Sequence, residues 1–591
     1  MRRKSNIKAF IMTLLCSLAG GLSAQSQYDV TVNSAFSPTI SDAQRKIDKK
    51  ANIVDTVHIM PKINHSVTPL VYQSDFKPEP INAPKVGKDK IVRLYRNFLK
   101  VGFGNYWTPY LDFEVGSLRS TRGAFGVRVF HHSSWGKIKD YATASFSDTK
   151  AEIYGQKFFN KYTLTAKAGY NHLMLHNYGI KIDSTNEFYN NSDYSRRHNH
   201  IASAHLDFAS NREQNVQKLN QYYGLDYQYF AGNDRGYTGV PITEHTLSFL
   251  TDLNHDINFK RAGYLNIGGK IGFDMIHGTE VMNWRSYLIS ASPSISYIYG
   301  EYFIKAGLKT VFDIKGEKLF HIYPDVEVKL TLVPNIFTLY AGVDGGLIPL
   351  SFRELFKENP YLGYGGACIV NEKFKVYLGL QTGISRSLSM GAKASYAMVD
   401  NMPFFVNIKE SIFIDTVVLP ILNRFTVAPI NRTQHFNVHF NLDYTYKNQL
   451  KLGLNLDYNY YILNEHPDYL VPNDYLPYLQ RAWYKPAFVA QFTGQYLLLK
   501  KFLFSLDAYV NFGVPYPEFT ANGGITPKTL KPFLDFDFGF EYLWSNRFSI
   551  FANINNFAFQ RNFYYFDYPS YRINALAGVK WTFGGEKIGK K

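Results

Sequence analysis

The sequence predicts an all-β fold: a large transmembrane antiparallel β-barrel of about 22 strands, preceded by a short extended periplasmic segment. Three observations predict it. The chain opens with a secretory signal pattern, apolar and polar residues alternate repeatedly between residues 97 and 583, and aromatic residues make up 17% of the chain against 19% charged residues. Such an aromatic content suits the girdles that barrels place at both membrane interfaces.

Residues 1–24 are expected to be a signal peptide. Basic residues between Arg2 and Lys8 precede an apolar run from Ala9 to Ala19, and small residues follow as far as Ala24. A basic region, a short apolar core and small residues before the cleavage site are typical of a secretory signal peptide. The apolar run is too short to span a bilayer. We therefore expect export of the chain and cleavage after Ala24.

Residues 25–96 have a different character and are expected to form an extended periplasmic segment. Frequent prolines exclude long helices and strands there, because each proline fixes φ and removes a backbone donor. The segment ends in basic residues just before the first predicted strand. Two interpretations stay open, a partial plug of the barrel lumen and an arm that binds a partner. The prolines are Pro38, Pro61, Pro69, Pro78, Pro80 and Pro84.

Residues 97–583 are expected to form the barrel, since alternating segments fill this range. Between 450 and 460 the even positions carry Leu or Tyr and most odd positions carry polar residues; 436–446 repeat the pattern, and only 447–449 separate the two. Such a pair is expected to form a hairpin with one apolar face suited to lipid and one polar face suited to water. The same pattern predicts a strand over 141–159.

The connections between the predicted strands separate into two kinds. Short turns at 160–161, 447–449 and 545–546 fall on one side, and long loops at 347–371, 401–432, 464–486 and 513–531 fall on the other. An even strand count with short periplasmic turns and long outer loops is typical of outer-membrane barrels. One long loop contains a helix-like stretch from Phe352 to Glu358.

The last predicted strand, 571–583, alternates almost strictly and is expected to close the barrel. Its apolar face includes Tyr571, Val579, Trp581 and Phe583. Together with 552–566, this stretch resembles the C-terminal end of TonB-dependent outer-membrane receptors. The whole chain, with its many Tyr and Asn residues, looks similar to envelope proteins of the Bacteroidetes. The resemblance implies a receptor or transporter that takes up a solute, with a periplasmic energy-coupling partner. Residues 25–96 are shorter than the plug domain of that family, and residues 584–591 form a basic tail.

Polar residues on the alternating strands are the candidate lumen-lining groups. His435 and His439 share a face but lie about 13 Å apart at ~3.3 Å per residue, so they cannot bind one ion together. Cys368 is the only cysteine after the signal, and paired-Cys or His-Glu-x-x-His spacings are absent from the sequence. We therefore predict no enzyme, catalytic residue, cofactor or metal site. The candidates are Asp443, Asp457, Asp535, Asp537, Glu541, Lys451, His435 and His439.

The formal charge of +16 is spread singly along strands and turns, and the chain is exported. Both facts exclude nucleic acid as a partner and indicate outer-membrane lipid instead. Two functions follow from the sequence. The first is a receptor or transporter for a solute; the alternative is a plugless structural or assembly component of an outer-membrane complex, bound to a periplasmic partner or a surface lipoprotein.

Overall fold

The computed structural model describes residues 94–585, except 183–194, 212–218, 235–241, 260–262, 279–283, 335, 364–366, 409–411, 415–416, 420–422, 448, 464–480 and 520–524. The expected signal peptide (1–24), residues 586–591 of the expected basic tail and all but the last three residues of the expected periplasmic segment lie outside the described residues, whereas Gly584 and Gly585 belong to the last strand. The described part consists almost entirely of β-strands, with one short helix between two of them.

In chain order, the strands are β1 Tyr95–Gly104, β2 Thr108–Gly116, β3 Gly123–Ser134, β4 Phe146–Phe158, β5 Tyr162–His176, β6 Arg196–Ser210, β7 Leu219–Asp234, β8 Ile242–Phe259, β9 Gly263–Gly278, β10 Arg285–Tyr299, β11 Tyr302–Asp313, β12 Phe320–Val333, β13 Phe337–Leu350, β14 Cys368–Ser385, β15 Leu388–Asp400, β16 Met402–Ile408, β17 Ile412–Ile414, β18 Val417–Leu419, β19 Arg424–Ile430, β20 Thr433–Tyr446, β21 Leu450–Ile462, β22 Phe488–Leu498, β23 Phe502–Phe512, β24 Pro515–Phe519, β25 Ile525–Thr529, β26 Phe533–Leu543, β27 Phe548–Asn555, β28 Phe563–Tyr565, β29 Tyr568–Pro569 and β30 Asn574–Gly585. The helix α1, Phe352–Glu358, lies between β13 and β14.

Twenty-two of these strands form one closed antiparallel barrel, which confirms the predicted fold and strand number. Each barrel strand pairs with its neighbours along the chain, and β1 pairs with both β2 and the last strand, β30. The remaining strands pair locally within the long loops, as β16 with β19, β17 with β18, β24 with β25 and β28 with β29. None of the helices in the described part of the chain is long and apolar enough to cross a membrane.

The seam between β1 and β30 closes through small residues. Gly102 lies opposite Gly578 in the register. A Cβ built on Gly578 would stand 2.0 Å from the carbonyl oxygen of Val101, far inside van der Waals contact. Because that atom belongs to the backbone, only glycine fits at this point of the seam.

The two faces of the barrel wall differ as the alternation predicts. Ile153, Ile271 and Leu308 are more than half exposed on the outward face. The inward face carries charged residues, such as Arg128, whose Nε lies 2.9 Å from Asp112 Oδ1. A closed barrel with an apolar exterior is the form in which strands cross an outer membrane, because closure leaves no unpaired backbone groups in lipid. Exposed aromatic residues at the short-turn end include Tyr264, Tyr299, Tyr302 and Trp544.

The structure corrects two boundaries. The strand predicted over 141–159 begins only at Phe146, and the closing strand begins at Asn574, so Tyr571 precedes it. The alternation predicted the wrong strand start at both places for the same reason. Tyr141 and Tyr571 pack in the outer loops rather than on the barrel wall. Val579, Trp581 and Phe583 lie within β30, as predicted, with the Trp581 and Phe583 rings 4.4 Å apart.

Candidate functional site

The outer loops of the barrel meet in one buried hydrophobic cluster, which we call the outer cap. Its residues come from the loops after β3, β5, β13, β15, β21, β23 and β27, so segments far apart in the sequence share a core. Burial of so many apolar side chains holds the loops together over the barrel mouth. The largest members of the outer cap are Tyr141, Tyr178, Phe352, Phe356, Leu362, Phe405, Phe425, Trp483, Tyr484, Tyr516 and Tyr568.

Tyr568 occupies the centre of the outer cap and is fully buried. Its ring stacks on Tyr361 with centroids 3.7 Å apart, and Tyr178 meets it edge-on at 5.1 Å. Phe425 lies 5.9 Å from Tyr568 and contacts Tyr484 edge-on at 5.2 Å. Stacked and edge-to-face pairs of this kind add to the energy of burial alone.

Hydrogen bonds between the loops satisfy polar atoms that this packing buries. The Tyr178 hydroxyl donates to the Pro569 carbonyl at 2.8 Å, and the Tyr568 hydroxyl donates to the Asn423 carbonyl. Asn423 in turn donates from Nδ2 to the Phe566 carbonyl at 2.8 Å. Each of these bonds joins loops that follow different barrel strands.

Leu362 and Phe425 join the loop after β13 to the loop after β15 by a parallel β-bridge. The Gly363 amide donates to the Phe425 carbonyl at 2.7 Å, and the Phe425 amide donates to the Tyr361 carbonyl at 3.2 Å. Both side chains of the bridge are fully buried. The bridge therefore fixes two of the longest loops to each other through their backbones.

The helix α1 docks on the barrel wall through Glu244 of β8. The Glu244 carboxylate accepts hydrogen bonds from the Phe352 amide at 2.7 Å and from the Arg353 amide at 3.3 Å. Ser351 and Glu354 complete a capping box at the same end of the helix. Glu244 thus replaces water as the partner of helix amides that have no partner within the helix.

The other end of α1 is held by charged side chains. Lys485 forms an ion pair with Glu358, and Arg197 Nη1 of β6 donates to the Leu362 carbonyl at 2.6 Å. Burial lowers the pKa of Arg353 at the start of the helix. The stretch predicted as helix-like, Phe352 to Glu358, is therefore a real helix and a fixed part of the outer cap.

Burial also keeps the tyrosines of the outer cap neutral. It raises the pKa of Tyr361 to about 12 and raises the pKa values of Tyr178, Tyr484 and Tyr568 well above their ordinary value. A phenolate in this apolar core would lose its hydration without a compensating charge. The buried tyrosines of the outer cap are therefore neutral at neutral pH.

The predicted polar residues of β20 and β21 share the inward face of the wall. His439 Nδ1 lies 2.8 Å from Asp457 Oδ1. His435 stacks on Tyr461 with centroids 4.4 Å apart and lies 3.1 Å from Asn459 Oδ1. The two histidines thus have separate partners, in keeping with the expected distance between them.

Asp443 and Lys451 lie further along the same hairpin, close to its short turn. Asp443 stands opposite Gly453 and Lys451 opposite Thr445. Both side chains are exposed. No ion pair joins Lys451 to a carboxylate among the residues that the structure describes.

The predicted acidic residues of β26 fall into two groups. Asp535 and Asp537 lie near Asp507, which is directly opposite Asp537, and Asp537 accepts a 2.9 Å hydrogen bond from the Asn556 amide. Glu541 is buried, accepts a 2.5 Å hydrogen bond from the Ser549 hydroxyl and pairs with Lys580. Within the described residues, no group of His, Cys, Asp or Glu side chains is arranged to hold a metal ion.

Sequence reasoning missed the residues that build the outer cap. Tyr568 and Phe425 lie in loops whose composition is aromatic, but nothing in their spacing shows that they meet. Glu244 resembles an ordinary lumen-face acid, because it fits the alternation of β8. The signal that could have pointed to the cap is the unusual number of aromatic residues inside loops that are expected to be solvated.

Neither protein-family models nor curated proteins match this chain. Among solved structures, the FrpB iron transporter from Neisseria meningitidis (F3-3 variant) is similar, with a TM-score of 0.61 and 9% sequence identity over 82% of this chain and 81% of that chain. The siderophore receptor PirA from Acinetobacter baumannii has a TM-score of 0.59 and 11% identity, over 82% of this chain and 80% of that chain.

A point mutant of the ferric enterobactin receptor PfeA from Pseudomonas aeruginosa has a TM-score of 0.58 and 10% identity, over 82% of this chain and 80% of that chain. These structures are transporters and receptors rather than enzymes. At such low identity the likeness shows the fold alone: the protein is a closed 22-strand barrel of the architecture that these structures have.

Proposed function

We propose that the protein is an outer-membrane receptor that takes up a solute, with the outer cap as its gate. The observation that carries the proposal is the closed barrel of 22 strands whose mouth loops join in a single buried core. A barrel of this width needs a closure, because an open lumen would leak. Loops held to one another by side-chain packing, hydrogen bonds and β-bridges are a closure that can open while the barrel strands stay paired.

The similar structures, which are iron transporters and siderophore receptors by name, support a proposal for the class of solute. We infer a chelated metal or a solute of similar size. The path of the solute would run along the inward face, where the lumen-lining residues offer hydrogen-bond donors and acceptors and charges of both signs. They are His435, His439, Asp443, Lys451, Asp457, Asp535, Asp537 and Glu541.

Opening the gate requires energy, and the outer membrane holds no ion gradient to supply it. We therefore propose a periplasmic energy-coupling protein as a partner, with residues 25–96 as the segment that fills the lumen or contacts this partner. A surface lipoprotein is a predicted second partner, and the outer surface of the cap is where it would bind.

Uptake by whole cells tests the proposal. Cells that express the protein are supplied with a panel of labelled ferric siderophores, in strains with and without the energy-coupling protein. We expect binding in both strains and uptake only in the first. A disulfide between the substituted pair Leu362→Cys and Phe425→Cys should lock the gate, since bridged residues lie within disulfide range; uptake should stop and return with a reductant.

The matched control for the lock is the pair Leu362→Ser and Phe425→Ser, which weakens the same contact without a cross-link. If no member of the panel binds and the protein instead co-purifies with a periplasmic partner or a lipoprotein, the receptor proposal is wrong and the structural component is favoured. If solutes enter equally through the locked barrel, the outer cap is not the gate.

A further inference from the structure

Polar rings line the outer ends of β3 to β10 on the face that points away from the lumen. Alternation along each strand places them on the same face as Ile153, Leu206 and Ile271, which are 45–56% exposed on the barrel exterior. Lipid-facing positions are usually apolar, so a group of imidazoles there is unexpected. We call these imidazoles, together with three tyrosines and one arginine on the same face, the histidine band. It comprises His131, His172, His198, His200, His245, His277, Tyr170, Tyr227, Tyr229 and Arg285.

Strand register aligns seven members of the histidine band, together with Thr149, into two cross-strand rows. In one row, His131 lies opposite Thr149, Thr149 opposite His172, and His172 opposite His200. In the other, Tyr229 lies opposite His245, His245 opposite His277, and His277 opposite Arg285. Directly opposed residues are close neighbours on one face of a sheet, so each row is a continuous polar strip.

Contacts within the histidine band hold the rings in fixed positions. His172 Nε2 lies 3.1 Å from His198 Nδ1, and the rings of His172 and His200 stack at 4.8 Å. The hydroxyl of Tyr170 lies 2.7 Å from His200 Nδ1. The hydroxyl of Tyr227 lies 2.8 Å from His245 Nδ1 in the same way. The band is therefore an ordered polar surface.

The charge of this exterior region is of one sign. Arg285 belongs to the band, and Arg196 lies on the same face of β6. In the described parts of β3 to β10, all the carboxylates lie on the opposite, inward face; Asp226 lies opposite His205 there, and Asp252 opposite Lys270. The exterior therefore offers N–H donors and positive charge without a competing acid.

We propose that the histidine band binds the phosphate-bearing headgroup of an outer-leaflet lipid. The band faces the membrane close to the outer ends of the strands, which is the height of the headgroups. Imidazole and guanidinium donors match phosphate oxygens, and arginine does so with two parallel hydrogen bonds. This site lies outside the lumen and is independent of solute uptake.

Native mass spectrometry of the full protein in detergent micelles tests the proposal. The micelles contain diphosphoryl lipid A, or the same lipid stripped of its phosphates. We expect retention of the phosphorylated lipid, and about tenfold weaker apparent affinity in the triple variant H172Q/H198Q/H200Q, as the loss of one strong charged contact would give. The matched control is H205Q/H435Q/H439Q, which removes the same number of imidazoles from the inward face and should retain the lipid as the unmodified protein does.

A second variant, Arg285→Gln, keeps the test valid if the triple variant misfolds. It should also weaken retention of the phosphorylated lipid. The mobility of unheated samples on gels shows whether each variant forms an intact barrel. Equal retention of phosphorylated and stripped lipid, or equal retention by the band variants and the control, would overturn the proposal. Complete displacement by equimolar inorganic phosphate would overturn the lipid as the occupant, because the band would then bind free phosphate.

Discussion

At the scale of single residues, Tyr568 is the side chain on which the outer cap depends most. It is fully buried and contacts residues of three other loops. We predict that Tyr568→Ala lowers the free energy of opening of the cap by about 3–5 kcal/mol, as loss of a large buried ring does. Proteolysis of the outer loops in the folded barrel should accelerate accordingly.

The control is Tyr568→Phe, which keeps the ring and removes only the hydrogen bond to the Asn423 carbonyl. Its expected cost is about 0.5–1.5 kcal/mol. Gel mobility of unheated samples should show an intact barrel for both variants. Equal proteolysis of the two variants would mean that the ring does not hold the cap.

Titration of the buried tyrosines predicts how the cap responds to alkali. In an unfolded loop a tyrosine has a pKa of about 10, and in the cap the pKa of Tyr361 is about 12. Above pH ~10 the open form loses a proton that the closed form retains, so stability of the cap is complete below that pH and falls as pH rises toward 12.

Phenolate absorbance and loop proteolysis, followed together between neutral pH and pH ~12, check this prediction. Tyr361→Phe removes the titrating group from the same position and should shift the opening to higher pH. If opening preceded any phenolate signal, or if Tyr361→Phe left the midpoint unchanged, ionisation of Tyr361 would not contribute to it.

At the scale of elements, α1 is the part of the cap that is fixed directly to the barrel wall. Glu244→Gln keeps one acceptor for the helix amides but removes the negative charge beside the buried Arg353. We predict that docking of α1 weakens by about 1–3 kcal/mol, the usual effect on a buried charged hydrogen bond. Faster amide exchange in Phe352 to Glu358 is the measurement.

Glu354→Gln is the control for that change, because it also removes a negative charge near Arg353, 4.0 Å away, but leaves the hydrogen bonds from the helix amides to Glu244 intact. A glutamine can still complete the capping box, so the expected change is below ~0.5 kcal/mol. If both variants exchanged at the same rate, the tie between α1 and β8 would contribute nothing.

Elements of the barrel wall were predictable from the sequence, whereas the outer cap was not. Each wall strand meets lipid on one side and the lumen on the other, so its composition alternates whatever its neighbours are. The cap has no such local rule, because Tyr361 and Phe425 stabilise each other only after the loops meet. Tyr141 and Tyr571 show the limit of the alternation rule. Both rings pack in the outer cap, whereas the alternation assigned them to wall strands.

The lumen candidates show the same division. Alternation placed His439 and Asp457 on one face, and the register then brings them into contact. The alternation could not show that Glu541 pairs with Lys580, because the partner of a lumen residue depends on the order and stagger of the strands. Those become known only once the barrel closes.

At the scale of the whole molecule, closure depends on the seam between β1 and β30. Gly578→Ala would place a Cβ 2.0 Å from the Val101 carbonyl oxygen, so one strand must shift. We predict a loss of about 1–3 kcal/mol or more, as overpacking of a backbone contact gives. The fraction of protein that runs as a folded barrel in unheated gels should fall.

Gly155→Ala is the matched control, since a Cβ on that glycine has no atom within 4 Å. It should fold as well as the unmodified chain. Equal folding of the two variants would show that the seam adapts to a side chain and is not a weak point of closure.

The bonds of the outer cap also constrain the order of events during biogenesis. Tyr571 donates to the Ala144 carbonyl at 2.9 Å, and Tyr178 donates to the Pro569 carbonyl, so the first long loops find their partners in the last one. A chain that is still being threaded into the membrane lacks these partners, and its mouth stays unsealed. We therefore expect the outer cap to close only after the final hairpin has been added.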